Sequence, residues 1–271
     1  MKKNYLLFLI LALPFGCFAE QKVNPLVILT GATGQLGSPI AHHLHANYSL
    51  FLIGRQPQKL LTLQQNLPNS QTLPLDYTSP KFLHAYKHTL EKLTQKVHSL
   101  IIITPRPEWH TPLQDIDTWQ KTLLITFSAQ AALIKATLPY MEKQSSILII
   151  AGTTSIQLQP QYGLSCILRR MWTTYAKALS HELGPQGIRV NSLSPGVVFT
   201  PFHKKRLSDL AYINNRSIEE EIACEATSIP LRRFCEVTDV ATSAEFLISQ
   251  QASFISGINL ILDGGFSVAL N

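Results

Sequence analysis

Two stretches of this chain carry residue types at spacings that can do chemistry, and each closes a short apolar run. The first is Thr30-Gly31-Ala32-Thr33-Gly34-Gln35-Leu36-Gly37, which follows the run at 26–30 (LVILT) and opens the stretch 35–46. Between a strand and a helix, three glycines so spaced form a cradle for a pyrophosphate. Gly31 permits the tight turn, Gly34 lets the backbone approach the phosphates, and Gly37 lets the helix pack closely on the strand. Unpartnered N–H groups at the helix start favour an anion, which brings Thr30, Thr33, Gln35 and Leu36 into the set. The alternative is a turn that needs its glycines for geometry alone. The second stretch is Gly54-Arg55, closing the run at 50–53 (LFLI). Folds of this kind that use NAD place an acid there for the ribose hydroxyls. Here no acid appears until Asp76. An arginine offers paired donors and a permanent charge to a 2′-phosphate. The reading is therefore NADP(H) in preference to NAD(H), with a solvated loop arginine as the alternative.

The elements that position these residues alternate in type. Short apolar runs recur at 26–30, 50–53, 72–75, 100–103, 147–150, 189–193 and 258–262. Runs apolar on both faces suit a parallel sheet covered by helices. Helical stretches fall between them at 35–46, 118–141, 162–183 and 238–249. Strand–helix alternation predicts right-handed crossovers and an α/β fold, a three-layer doubly wound parallel sheet of about seven strands. No repeat and no long linker divides the chain, so residues 22–271 read as one domain.

Composition narrows the function. The chain has 271 residues, 45% of them hydrophobic and 15% charged, with a net charge of +6. That excludes a disordered chain. The basic excess is small and scattered, its longest run being His203-Lys204-Lys205-Arg206, which argues against nucleic-acid binding. Residues 1–19 read as a targeting segment: Lys2 and Lys3, an apolar run over 5–15, then Gly16 to Ala19. Cleavage after Ala19 would export the chain to the periplasm or beyond. Uncleaved, residues 5–19 would tether it to a membrane; a start codon assigned too early would leave it cytoplasmic. The run is short of the roughly 20 residues a span needs. No later apolar run approaches that length without polar interruption. Beyond residue 19 the cysteines are Cys166, Cys224 and Cys235, too few for a disulfide framework. Cys166 reads as a small core residue rather than a nucleophile. The histidines and Asp115 and Asp117 show no metal-ligand spacing, and His42, His43 and His45 read as a helix surface.

Three further blocks carry a resemblance. They are His181-Glu182-Leu183-Gly184-Pro185-Gln186-Gly187-Ile188-Arg189-Val190-Asn191, then Ser194-Pro195-Gly196 running to Thr200-Pro201, then Ile229-Pro230-Leu231-Arg232-Arg233-Phe234 with Asp239-Val240-Ala241 and Asp263-Gly264-Gly265. With the glycine turn they make residues 25–267 resemble the short-chain dehydrogenase/reductase family, whose domain is a Rossmann fold. The resemblance implies a small-molecule substrate and a homo-oligomer built through the stretches 118–141 and 162–183. It implies that Asp76 contacts the adenine, that Val198 meets the nicotinamide carboxamide through its backbone, and that Thr200 meets the cofactor phosphates. Pro195 and Gly196 form the turn below them, Thr104 falls in the loop after the fourth strand, and 200–226 would be an irregular, mobile substrate loop. The glycine spacing is T-G-x-x-G-x-x-G, that of extended and atypical members.

The catalytic positions depart from the family's Asn-Ser-Tyr-Lys set. Counted from the 182–191 block, the Tyr position is Ser165, the Lys position Arg169 and the Ser position Gly152, followed by Thr153, Thr154 and Ser155. The Asn position is Thr126, and N-N-A-G reads Ile102-Ile103-Thr104-Pro105. One compensating pair exists. Tyr162 stands seven residues before Arg169, the Y-x-x-x-x-x-x-K spacing of the family's enoyl-acyl carrier protein reductases. Seven helical residues rise about 10 Å, so Tyr162 must precede the helix and lean back. Arg169 would keep the positive charge and reach ribose hydroxyls, but an arginine gives up no proton. Two readings stand: an NADP(H)-dependent oxidoreductase of carbonyl or enoyl reductase type using Tyr162 and Arg169, or an inactive protein of the same fold that binds a dinucleotide or a partner.

Overall fold

The computed structural model describes residues 24–107 and 111–268, so the targeting segment lies outside the described residues. The first half of the fold runs β1 (Leu26–Leu29), α1 (Gly37–Leu44), β2 (Ser49–Gly54), α2 (Pro57–Asn66), β3 (Ser70–Pro74), α3 (Phe82–Leu90) and β4 (Val97–Ile103). The second half runs α4 (Ile116–Leu123), α5 (Ala129–Thr137), β5 (Met141–Ile150), α6 (Gly163–Leu183), β6 (Arg189–Pro195), α7 (Pro201–Ile213), α8 (Ile218–Ala226), α9 (Val237–Ile248) and β7 (Asn259–Leu262). Alternation along each strand sorts its side chains onto two faces. In β1, Val27 and Leu29 enter one buried cluster while Leu26 and Ile28 enter the other. In β2, Leu50 and Leu52 part from Phe51 and Ile53 in the same way. The first cluster is closed by α1, α2 and α9, and the second by α3, α5 and α6. Three layers result, as the both-face apolar runs predict.

All seven strands are parallel, in the order β3-β2-β1-β4-β5-β6-β7. The order reverses between β1 and β4. In such sheets the loops at the carboxyl ends diverge at this point and form the crevice where ligands bind. The most family-like block, 181–191, has a structural role behind this crevice. The Arg189 guanidinium donates to the carbonyls of Leu247 (2.8 Å) and Ser249 (3.1 Å) at the end of α9. The Asn191 amide donates to the Ile255 carbonyl at 2.8 Å and accepts from the Ile258 N–H at 3.2 Å, fixing the approach to β7.

Three expectations need correction. The helix over 118–141 is not continuous: α4 and α5 are joined by one π-helical turn, Leu124–Ser128. The stretch Ile116–Tyr140 is long enough for a membrane span and holds an 18-residue window of mean hydropathy 1.2, but Leu133 and Ile134 on it pack into the second cluster. The segment 200–226 is not irregular but forms α7 and α8. Thr200 caps α7 through the His203 N–H, Pro201 opens it, and Ser217 with Glu220 forms a reciprocal capping box on α8. Its polarity belongs to its outer side, since Leu207, Ala211 and Ala226 are buried. Finally, His43 is not plain surface. Its Nε2 lies 2.7 Å from Glu245 Oε2, joining α1 to α9.

His98, next to Val97 in β4, stacks on Tyr48 with ring centroids 6.0 Å apart. Burial pushes its pKa down, against a smaller opposing effect of the Ile248 carbonyl. The unfolded chain then takes up a proton near the ordinary histidine pKa of about 6.5, while the folded chain takes it only at lower pH. Stability is predicted to fall as the pH drops below about 6.5, and His98→Gln to flatten that slope. Urea unfolding midpoints between neutral and mildly acidic pH check this; an unchanged slope refutes it.

Candidate active site

The glycine turn leaves β1 with Gly31 at φ +65°, a conformation that suits glycine. A Cβ at Gly37 would lie 2.1 Å from the Gly31 carbonyl oxygen, and one at Gly34 would lie 3.2 Å from the same atom. The turn is thus folded against itself as tightly as backbone allows. Thr30 ties β1 to β4 by accepting the Ile103 N–H on Oγ1 at 3.1 Å. No side chain caps α1, and its first turn carries no acid. A helix start of that kind offers its N–H groups and positive dipole end to an anion. Gln35 is exposed, and its Oε1 accepts the Phe202 N–H of α7 at 3.4 Å.

The remaining cofactor candidates are placed as follows. Arg55 is exposed just past β2. Thr33 lies over the end of that strand, where a Cβ at Gly54 would meet its Oγ1 at 3.0 Å. Asp76 accepts from the Thr78 N–H and hydroxyl, which hold its pKa below the ordinary value with a smaller contribution from the nearby Arg55 charge. Arg55 and Asp76 therefore share one corner. Gly196 is pressed on Asp263, whose Cβ a side chain at 196 would meet at 2.9 Å, and its N–H donates to Leu262. The bridge between Val198 and Cys235 uses the Val197 carbonyl and the Phe199 N–H, which leaves the Val198 N–H outside it. Thr200 is buried, and its Oγ1 accepts from the His203 N–H while its own proton is left to donate. Thr104 turns away from the crevice: its N–H and hydroxyl both donate to the Ile150 carbonyl, at 3.2 and 2.9 Å.

Several of the positions counted as catalytic from the sequence lie around one guanidinium. Arg169, on α6, is half-buried as a residue, but its guanidinium lies deep, with Nη1 donating to Thr154 Oγ1 at 2.9 Å and Nε buried without a partner. Burial, with the charge of Arg106 added, brings its pKa down to about 10. Gly152, at φ +121°, faces it. A Cβ there would lie 2.7 Å from Arg169 Nη1 and 3.1 Å from Cζ. Gly152 and Arg169 are thus sterically coupled: the guanidinium occupies space that a side chain at 152 would need. Ser165 is buried, and Ser155 joins a polar group with Ser194 (2.9 Å) rather than standing free. At Thr126, inside the π-helical turn, the hydroxyl donates to the Thr122 carbonyl (2.6 Å) and the carbonyl accepts the Trp172 indole N–H (2.8 Å).

Tyr162 stands at the N-cap of α6, at φ −126° and ψ 32°, after a 3-10 turn Pro160–Tyr162. Its ring carries the Arg106 guanidinium 5.2 Å above the centroid, and the same guanidinium lies 5.0 Å from the Phe202 centroid. Sequence reasoning missed Arg106. The available signal was a cation between two prolines, Pro105 and Pro107, just after a buried strand. Cys166 is buried against the 157–159 backbone, and all three cysteines among the described residues are free. Among the described residues, no three His, Cys, Asp or Glu side chains converge as a metal site.

Fold and crevice define a dinucleotide-binding α/β protein of doubly wound type. Comparison with known proteins is specific about which. A family model described as Enoyl-(Acyl carrier protein) reductase matches residues 31–267, and the chain belongs to the short-chain dehydrogenase/reductase family of nicotinamide-dependent oxidoreductases. It is 27% identical over 253 residues to human Dehydrogenase/reductase SDR family member 4, covering 89% of this chain and 87% of that protein. It is 35% identical over 159 residues to isoepoxydon dehydrogenase patN of Penicillium expansum, covering 57% of this chain and only 58% of that enzyme's length. Among solved structures, L-sorbose reductase from Gluconobacter frateurii, complexed with NADPH and L-sorbose, aligns with a TM-score of 0.82 at 20% identity, over 92% of this chain and 98% of that one.

The Gly152–Arg169 pairing predicts non-additive substitutions. Gly152→Ser should cost about 1–3 kcal/mol for its backbone conformation and about 1–3 kcal/mol more for the overlap. In an Arg169→Ala background only the first part should remain. Equal costs in both backgrounds, read by denaturant unfolding, would show that Gly152 does not accommodate the guanidinium.

Proposed function

We propose that the chain is an NADP(H)-dependent oxidoreductase of carbonyl or enoyl reductase type with a non-standard active site. The observation that carries the cofactor half is the cradle at Gly31, Gly34 and Gly37 below an uncapped helix: Gly31 sits at φ +65°, a Cβ at Gly37 would collide with the Gly31 carbonyl, and one at Gly34 would press on it. Thr30 to Gly37 would hold the pyrophosphate, with Thr200 reaching it from the other side. Arg55 would meet the 2′-phosphate, Asp76 the adenine and the Val198 N–H the carboxamide. When bound, the nicotinamide supplies hydride transfer. What remains for the protein is to fix the substrate and move a proton. Arg169 supplies a fixed charge and donors to ribose hydroxyls or to a substrate oxygen, while Tyr162, at the open start of α6, is the proton donor. The preference for NADP(H) rests on Arg55 and the absence of an acid before Asp76; the sorbose reductase of the same fold is seen with NADPH.

Other parts of the reading follow from the same surfaces. Self-association through the stretches 118–141 and 162–183 is supported by an open, largely apolar cavity of about 800 Å³ on α6, lined by Ile167, Met171 and Tyr175 of that helix, by Phe127 of the π-helical turn and by the 154–158 loop. Residues 1–19 are read as a targeting or tethering segment on the strength of their sequence alone. A second reading, a dinucleotide-binding protein without turnover, is favoured by one observation. Ser165 and Gly152 supply no phenol or hydroxyl where the family's tyrosine and serine act, and Thr126 spends both its polar groups within the helix pair.

Calorimetric titration with NADPH and NADH tests the cofactor half. NADPH should bind more tightly, and Arg55→Ala should weaken NADPH by about tenfold, some 1.4 kcal/mol, without changing NADH. Binding of neither removes the oxidoreductase reading. For the proton donor, Tyr162→Phe should lower kcat by about 10²–10⁴-fold with the NADPH affinity intact. Unchanged turnover would acquit Tyr162, and NADPH binding with no turnover in a broad carbonyl and enoyl substrate screen would favour the second reading.

A further inference from the structure

We infer that the substrate of this site carries an anionic group, a carboxylate or a phosphate, read by two arginines: Arg106 at the mouth of the crevice and Arg169 at its floor. This deepens the oxidoreductase reading and rests on it. Arg106 follows β4 and is exposed. It spans the crevice, because Tyr162 on one side opens α6 and Phe202 on the other lies in the first turn of α7. Its guanidinium lies 5.2 and 5.0 Å from those two ring centroids. Aromatic faces hold a guanidinium by its plane and leave its edge N–H groups to a ligand.

Arg169 lies within the range of the Arg106 charge, and burial of its guanidinium leaves Nε without a partner. Among the described residues, none of the ion pairs within 4 Å involves Arg106 or Arg169. The neighbouring cation differs: Arg206 is paired with Glu225. His203 beside Phe202 has its pKa pushed down by burial first and then by Arg206, with Arg106 adding a smaller effect. Two like charges within range of each other, neither paired within 4 Å with a carboxylate of the described residues, repel each other. An entering anion relieves that repulsion and satisfies the open donors, and a planar carboxylate or a phosphate matches the forked geometry of a guanidinium.

The anion could also belong to the cofactor, since Phe202 is bonded through its N–H to Gln35 of the glycine turn. The test separates the two sources. Purified chain, with and without saturating NADPH, is titrated calorimetrically with benzoylformate, phenyl phosphate and the neutral methyl ester of benzoylformate. At least one anion should bind about tenfold or more tightly than the ester, a difference of about 1.4 kcal/mol. Arg106→Ala and Arg106→Met should abolish the preference, Arg106→Lys should restore part of it, and NADPH affinity should stay within about twofold in all three. Equal binding of ester and anions, or binding of neither anion, overturns the proposal. So does a loss of NADPH affinity in Arg106→Ala that matches the loss of anion affinity, which would assign the charge to the cofactor. If NADPH itself does not bind, the oxidoreductase reading fails, and the titrations without cofactor still decide whether the crevice reads an anion.

Discussion

A guanidinium taken out of water needs room, hydrogen-bond acceptors and an opposing charge, and lacking them costs several kcal/mol. At Arg169 the first need is met by a glycine whose Cβ would stand 2.7 Å from Nη1, and the second only in part, by Thr154 Oγ1. The third is met by nothing within 4 Å among the described residues. Much of the site follows from that imbalance. Gly152 must hold φ +121°, which shapes the exit from β5 and places Thr154 in a 3-10 turn, Thr153–Ser155, where its hydroxyl can reach the cation. The next residue on α6, Arg170, donates to the Ser155 carbonyl at 3.2 Å and pins the same turn from its other end. One turn of helix further, Trp172 fixes α6 to the π-helical turn through the Thr126 carbonyl. The loop after β5, the α6 helix and the α4–α5 junction are thus registered to one another around a single charge.

The cofactor side of the crevice is built on an opposite principle. It uses almost no charge of its own and relies on backbone: a carbonyl lying 2.1 Å from where a Cβ of residue 37 would be, and a helix left without a cap. Arg55 adds a cation at the outer edge, beside Asp76. An anion placed at the α1 start is held by N–H groups in fixed geometry. An anion placed near Arg106 would be held by a cation packed on two aromatic rings. The two ends of the crevice therefore discriminate by different physics, one by shape and dipole and the other by formal charge.

The sheet was legible because its signal is redundant. Runs such as 100–103 and 147–150 are apolar on both faces, and only covered parallel strands can use them. The two helices within 200–226 were not legible, since their stabilisation comes from caps at Thr200 and Ser217 and a few buried residues, not from a strong apolar face. The break in the long helix at Leu124–Ser128 left no mark in composition, because a π turn is set by what packs against it, here the Trp172 indole. At the site, the glycine turn could be read from spacing, because the constraint is local to eight residues. The Gly152–Arg169 coupling and the Tyr162–Arg106–Phe202 stack could not. Each joins residues distant in sequence, and each looks, position by position, like the loss of a motif.

Under the proposed reading, an arginine at 169 where the family has lysine separates two roles that a lysine can combine. An ammonium can hold a charge near a reacting oxygen and also pass a proton on. The Arg169 guanidinium, with its pKa brought down only to about 10, stays charged at neutral pH and passes nothing. A proton delivered in this crevice must then come from a group other than Arg169, while Arg169 acts on charge alone. Under the proposed reading Tyr162 is that group, and its placement before α6 suits proton delivery. It is half-exposed at the helix start, next to solvent that can restore its proton, whereas Ser165 at the family's tyrosine position is buried. Stacking Arg106 on the same ring ties the proton donor to the wall formed by α7. An anion bound at Arg106 would therefore lie against the ring of the proposed donor.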